Sequence, residues 1–148
     1  MIRVTRRYEF SASHRLHAPG LTDEENHRLY GKCNNPFGHG HNYVLEVSVR
    51  GVVDPRSGRA VDPAALDQLV REKVIRAFDH KNLNEQIEAF EHLVPTSENL
   101  GLLIHKRLEQ GWTDQFPGQW PRLEKVRIAE TERNIFEVSE GNQHSETR

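Results

Sequence analysis

Apolar and polar residues alternate along residues 2 to 13, which predicts a β-strand with Tyr8, Phe10 and Ala12 on one face. A second strand is predicted over residues 42 to 53. Tyr43, Leu45, Val47 and Val49 share one face there, and Glu46, Ser48 and Arg50 the other. Asp54-Pro55-Arg56-Ser57-Gly58 then reads as a turn. The period changes after Asp62-Pro63, an N-cap followed by a first-turn proline. Leu66, Leu69, Val70, Val74, Ala77 and Phe78 form a helical stripe there. A second helix is expected from near Thr96, with Leu100, Leu103, Ile104 and Leu108 as its stripe and Gly111 ending it. Two further strands, roughly 123 to 131 and 134 to 139, are joined by a tight connection.

The resulting order, β-β-α-α-β-β, predicts an α+β fold: a four-stranded antiparallel sheet with two helices packed on one face. Such a sheet has two open edges, and joining several sheets into a barrel would remove them. The long connection from Ala18 to Gly40, with a short helical candidate at Asp23 to Tyr30, is the kind of loop that carries function. Residues 1–140 are expected to form a single domain and 141–148 a disordered tail.

Composition narrows the function classes. A formal charge of −2 provides no global field for nucleic acid or an anionic membrane, so an anionic ligand would need a local cluster of cations. No apolar run approaches the roughly 18 residues of a membrane span, and Met-Ile-Arg-Val-Thr-Arg-Arg lacks the apolar segment of a signal peptide. The single cysteine allows no internal disulfide. A cytoplasmic location is the resulting expectation. Hydrophobic residues make up only 35% of the chain, so part of the burial is expected between subunits.

Candidate chemistry centres on Cys33-Asn34-Asn35-Pro36-Phe37-Gly38-His39-Gly40-His41. Two residues apart on an extended chain, His39 and His41 aim at one point, as a metal pair would. A catalytic zinc needs three protein ligands and an open position. His14, on the face of Phe10 and Ala12, is the candidate third. Cys33 has three readings: a small buried hydrophobe, a fourth ligand closing a structural site, or a thiolate base. His17, His27, His92, His105 and His144 are read as ordinary core or surface histidines.

Asp79-His80 follows a helix and could form a carboxylate–imidazole relay if it lies in a turn; a plain helix ending is the alternative. Glu130 falls in line with Val126 and Ile128, on a core-facing row with no basic partner. A ligand with two adjacent N–H donors would satisfy both of its oxygens. Alternatively it reaches water at the strand end. Thr96 reads as an N-cap, and Glu98 suits the helix dipole.

Five segments in order resemble the 6-pyruvoyl-tetrahydropterin synthase family: Phe-Ser-Ala-Ser-His (10–14), Gly-Lys-Cys-Asn-Asn-Pro-Phe-Gly-His-Gly-His-Asn-Tyr (31–43), Asp-His-Lys-Asn-Leu-Asn (79–84), Thr-Ser-Glu-Asn (96–99) and Glu-Thr-Glu-Arg-Asn (130–134). The resemblance implies a tunnelling fold, with sheets joined into a β-barrel in trimers and two trimers forming a homohexamer. It implies Zn2+ held by His14, His39 and His41, and Cys33 as the proton-abstracting base. Asp79 and His80 of a neighbouring subunit would serve as its relay. Glu130 would anchor the pterin, with Thr96, Ser97 and Glu98 nearby.

The implied activity is a lyase converting 7,8-dihydroneopterin triphosphate to 6-pyruvoyl-tetrahydropterin and triphosphate. Arg15, Lys32, Lys81 and Arg133 are candidate cations for the triphosphate by position. The related 6-carboxy-tetrahydropterin synthases of the queuosine pathway release acetaldehyde from the same substrate. They usually have a shorter gap between the cysteine and the His-x-His pair. Here five residues separate Cys33 from His39, which resembles the pyruvoyl type.

Overall fold

The computed structural model describes residues 1–140, so the expected tail at 141–148 lies outside the described residues. Strand β1 (Ile2–His14) pairs antiparallel with β2 (His39–Gly51), placing Phe10 opposite Tyr43, Ala12 opposite His41 and His14 opposite His39. Between them lie helix α1 (Asp23–Tyr30), closed by a Thr22–Glu25 capping box, and a 3-10 turn at Gly31–Asn34. Helix α2 starts at Pro63–Val70, where the Asp62 carboxylate accepts from Ala64 N–H. It continues through a π-helical turn at Arg71–Ile75 to Arg76–Phe78. Strand β3 (Lys81–Asn82) leads into one helical turn at Leu83–Gln86. Helix α3 (Ser97–Gln115), β4 (Arg122–Ala129) and β5 (Ile135–Ser139) complete the chain.

The sheet corrects the expected strand count. It has five strands in the order β3-β1-β2-β4-β5, and β3 runs parallel to β1, so the sheet is mixed. A strand of two residues is too short to carry any periodic signal. The second correction concerns Gly111, which does not end α3. A Cβ there would lie 2.8 Å from Lys73 Cε and 3.0 Å from Leu69 Cδ1, so this glycine lets α3 approach α2 closely. The helix runs to Gln115 instead.

The core lies between the sheet and the helices. Phe10, Ala12, Tyr43, Leu45, Val47, Val126 and Ile128 are buried from the sheet side. Against them pack Leu66, Leu69, Val70, Val74 and Phe78 of α2 and Leu100, Ile104 and Leu108 of α3. A register shift at Ser48/Val49 turns Leu123 into the core and leaves Glu124 to pair with Arg3. Arg6 and Tyr8, on the core-facing row of β1, reach out to Asp67 of α2 and clip helix to sheet. Among the described residues, no helix is long and apolar enough to cross a membrane.

Candidate active site

The site is built where two strands and a loop converge at one end of the sheet. His14 ends β1 on the core-facing row and is fully buried, and its Nδ1 lies 2.9 Å from the Pro95 carbonyl. A ring nitrogen facing a carbonyl carries the proton, which leaves the Nε2 lone pair aimed into the site. His41 Nε2 stands 3.2 Å from His14 Nε2. Two imidazoles each about 2.0–2.1 Å from one tetrahedral ion would have nitrogens about 3.3 Å apart, so this spacing suits a shared cation.

Cys33 reaches the same point from the loop. The ligand atoms of His14, Cys33 and His41 all lie within 4.8 Å of one another, a group able to hold a metal ion. Local hydrogen bonds place the sulfur there. Leu16 N–H donates to the Cys33 carbonyl at 2.7 Å, and the buried Asn34 side chain donates to the Leu16 carbonyl at 2.7 Å. The chain then reverses at Asn35, whose carbonyl accepts from Gly38 N–H at 2.8 Å. Gly38 has φ 82°, and a Cβ there would press on the His14 carbonyl oxygen at 3.3 Å, so the turn calls for glycine.

His39 is exposed, and its ring stands edge-on to His41 with centroids 4.5 Å apart. It lies beside the trio rather than in it. Glu130 follows β4 on the row of Val126 and Ile128, as its spacing predicts. Its Oε1 lies 3.4 Å from His41 Nε2 and 3.6 Å from His14 Nε2, with the side chain 12% exposed.

Burial dominates the protonation equilibria. It lowers the pKa of His14 and His41 below the usual histidine value, favouring the neutral imidazoles that a metal requires. Burial, then the charge of Glu130, raises the Cys33 thiol. In the protein alone Cys33 is therefore held as a thiol, and a nearby divalent cation would act in the opposite direction.

The other predicted residues are distributed around the fold. Asp79 and His80 lie in a turn, as their adjacency requires: His80 has φ 59°, and its Nδ1 sits 3.0 Å from Asp79 Oδ2. The Ser11 N–H, donating to Asp79 Oδ1 at 2.9 Å, is the main cause of its lowered carboxyl pKa, and His80 adds to it. The exposed His80 lines a cleft with Ser11, Asn42 and His41, at the strand ends beside the metal-binding group. The cleft that Asp79 and His80 line together is shared with Glu9, Ser11 and Val44 and not with Cys33. Thr96 caps α3 by accepting from Asn99 N–H, Ser97 is buried with its hydroxyl unpartnered, and Glu98 faces solvent.

Sequence reasoning missed Tyr43, Pro95 and Asn34. Tyr43 is fully buried with its hydroxyl 3.4 Å from His14 Nδ1, yet its place in the strand reads simply as core. A carbonyl such as that of Pro95 leaves no side-chain signal at all. Asn34 could have been suspected as a turn residue, but its buried contacts are long-range.

The sequence matches the family described as 6-pyruvoyl tetrahydropterin synthase over residues 3–141. It is 42% identical to the 6-pyruvoyl tetrahydrobiopterin synthase of Poecilia reticulata, over 89% of this chain and 86% of that one. The solved 6-pyruvoyl tetrahydropterin synthase of Caenorhabditis elegans superposes with a TM-score of 0.84 at 41% identity, covering 93% of this chain and 94% of that one. More distant is a putative 6-carboxy-5,6,7,8-tetrahydropterin synthase of Archaeoglobus fulgidus, 36% identical over 87% of this chain and 88% of its own length. Core-facing histidines, a thiol within reach of both and near-full-length identity above 40% lead to one assignment: the chain belongs to the 6-pyruvoyl tetrahydropterin synthase family.

Proposed function

We propose that this protein is a zinc-dependent lyase that converts 7,8-dihydroneopterin triphosphate to 6-pyruvoyl-tetrahydropterin and triphosphate. The observation that carries the reading is the convergence of His14, His41 and Cys33 beside the largely buried carboxylate of Glu130. His14 and His41, with His39 as the third imidazole, would hold Zn2+. Bound there, the ion supplies Lewis acidity to the hydroxyls of the substrate side chain.

The remaining roles fall to the protein. Glu130, with no cationic side chain among the described residues within ion-pair distance other than these histidines, accepts N–H donors of the pterin ring and fixes its orientation. Ser97, buried and unpartnered at the start of α3, is available to the same ring, with Thr96 and Glu98 around it. Cys33 takes and returns the side-chain protons, so oxidation of the side chain balances reduction of the ring without an external redox cofactor. Asp79 and His80 would serve Cys33 of a neighbouring subunit, to which the solvent-exposed His80 ring is open. This reading includes a homohexamer, a dimer of trimers whose joined sheets form a barrel.

The deciding experiment supplies 7,8-dihydroneopterin triphosphate and identifies the products. Formation of 6-pyruvoyl-tetrahydropterin with release of triphosphate supports the assignment. Acetaldehyde instead would make the protein a 6-carboxy-tetrahydropterin synthase, the reading that the gap between Cys33 and His39 disfavours.

A further inference from the structure

A cavity of about 880 Å³ opens beside His39 and runs between α1 and the Gly31–Asn34 turn. Its volume falls within the usual range for small-molecule sites. Arg15 and Lys32 line it, and His27 and Asp23 face it from α1. Arg15 is held in place: its Nε donates to the Asn34 carbonyl at 3.1 Å, and its backbone N–H donates to Asn84 Oδ1 at 2.7 Å. The two terminal guanidinium nitrogens remain available. Among the described residues neither Arg15 nor Lys32 has a carboxylate within ion-pair distance, even though Asp23 borders the same cavity. Two unpaired cations over a concave surface, one fixed by the loop that carries Cys33, are an anion-binding arrangement.

We infer that this cleft is the polyphosphate subsite, with Arg15 and Lys32 as its cations; the inference rests on the proposed reaction and assigns its substrate's phosphate chain to one place. The other basic candidates lie elsewhere. Lys81 lines a different cleft, with Ser11, His41, Asn42 and His80, and shares no lining surface with Arg15 and Lys32. Arg133 sits in the exposed turn between β4 and β5, where its N–H is bound by Thr131 Oγ1. Arg15 and Lys32 against Asp23 give the cleft's carboxylate, guanidinium and ammonium groups a formal sum of +1. Asp23 therefore opposes the anion, and removing its charge should tighten binding.

The test is calorimetric titration of the full chain with inorganic tripolyphosphate, alongside steady-state kinetics on the pterin triphosphate. Lys32→Gln, at an exposed position without an ion pair, should weaken tripolyphosphate about tenfold, the effect of one charge-assisted contact. KM should rise in parallel. Asp23→Asn should tighten the anion, Lys81→Gln should leave it unchanged, and raised salt should weaken it. Unchanged affinity in Lys32→Gln, an equal loss in Lys81→Gln, or no tripolyphosphate binding by the unmodified protein would each overturn the subsite. If the protein turns over no pterin triphosphate while Lys32→Gln still loses the anion, the subsite stands and the proposed reaction falls.

Discussion

Replacing Asp67 by Asn tests how the helical layer is fixed to the sheet. The Asp67 carboxylate accepts two bonds from the Arg6 guanidinium, both at 2.8 Å, and one from the Tyr8 hydroxyl at 2.6 Å. Arg6 and Asp67 are 40% and 29% exposed, so solvent screens their attraction to about 0.5–1 kcal/mol. The Tyr8 hydroxyl is half-buried, and weakening its charged acceptor costs about another 1–1.5 kcal/mol. Together these give a destabilisation of roughly 2 kcal/mol, or about 4–8 °C in Tm for a domain of this size.

The pH dependence of that difference follows from linkage. Arg6, then Tyr8, hold the Asp67 carboxyl below its ordinary value, whereas burial acts against them. The stabilisation is therefore fully present above the unfolded carboxyl value of about 3.9 and is lost as pH falls through the lower folded value. Tyr8, raised by burial and by Asp67, stays protonated throughout. Thermal unfolding of both proteins followed by circular dichroism should show the full gap at neutral pH and its closure in acid, as pH falls through the lowered folded value. A gap under about 1 °C at neutral pH, or one of equal size in acid, would refute the reasoning.

Three further outcomes are expected. Chelation should lower Tm by a few degrees yet leave the far-UV spectrum folded, because the buried apolar core between sheet and helices does not depend on the histidine cluster; cooperative unfolding on chelation would instead mark a structural metal. Cys33→Ala should keep its zinc by metal analysis and lose at least about a hundredfold in turnover, whereas His39→Ala should lose zinc affinity; the reverse pattern would make Cys33 a ligand in place of His39. Gly101→Val should destabilise by about 2–3 kcal/mol, read as a lower urea midpoint at constant m-value, because a Cβ there already lies 3.2 Å from Val138 Cγ2 and 3.7 Å from Ile128 Cγ2.

The sequence made legible whatever depends on a repeating burial pattern. The core-facing row of β2 from Tyr43 to Val49, the stripe of α2 and the caps at Asp62 and Thr96 all follow from local chemistry, and all appear in the fold. Glu130 was legible for the opposite reason: it breaks an apolar row, and the structure turns it onto two imidazoles. What stayed hidden is what only long-range approach decides. Gly111 has the local appearance of a helix end, but the nearness of Leu69 and Lys73 makes it a packing position. Arg6 interrupts an otherwise apolar row on β1, and nothing near it in sequence announces Asp67, 61 residues away, as its partner.

The same distinction explains why the histidines were easier to find than the group that orients them. His39 and His41 sit at a spacing that itself implies a shared face, and register alone sets His14 opposite His39 and Ala12 opposite His41. The tautomer of His14, however, depends on a backbone carbonyl 81 residues along the chain, delivered by the segment that leads into α3. That carbonyl is positioned by the Thr96 cap and by Asn99, whose side chain donates to the neighbouring Val94 carbonyl at 2.8 Å. The cap that starts the longest helix thus also fixes the ring whose lone pair enters the site. Loosening it would reach the histidine cluster without touching a single ligand.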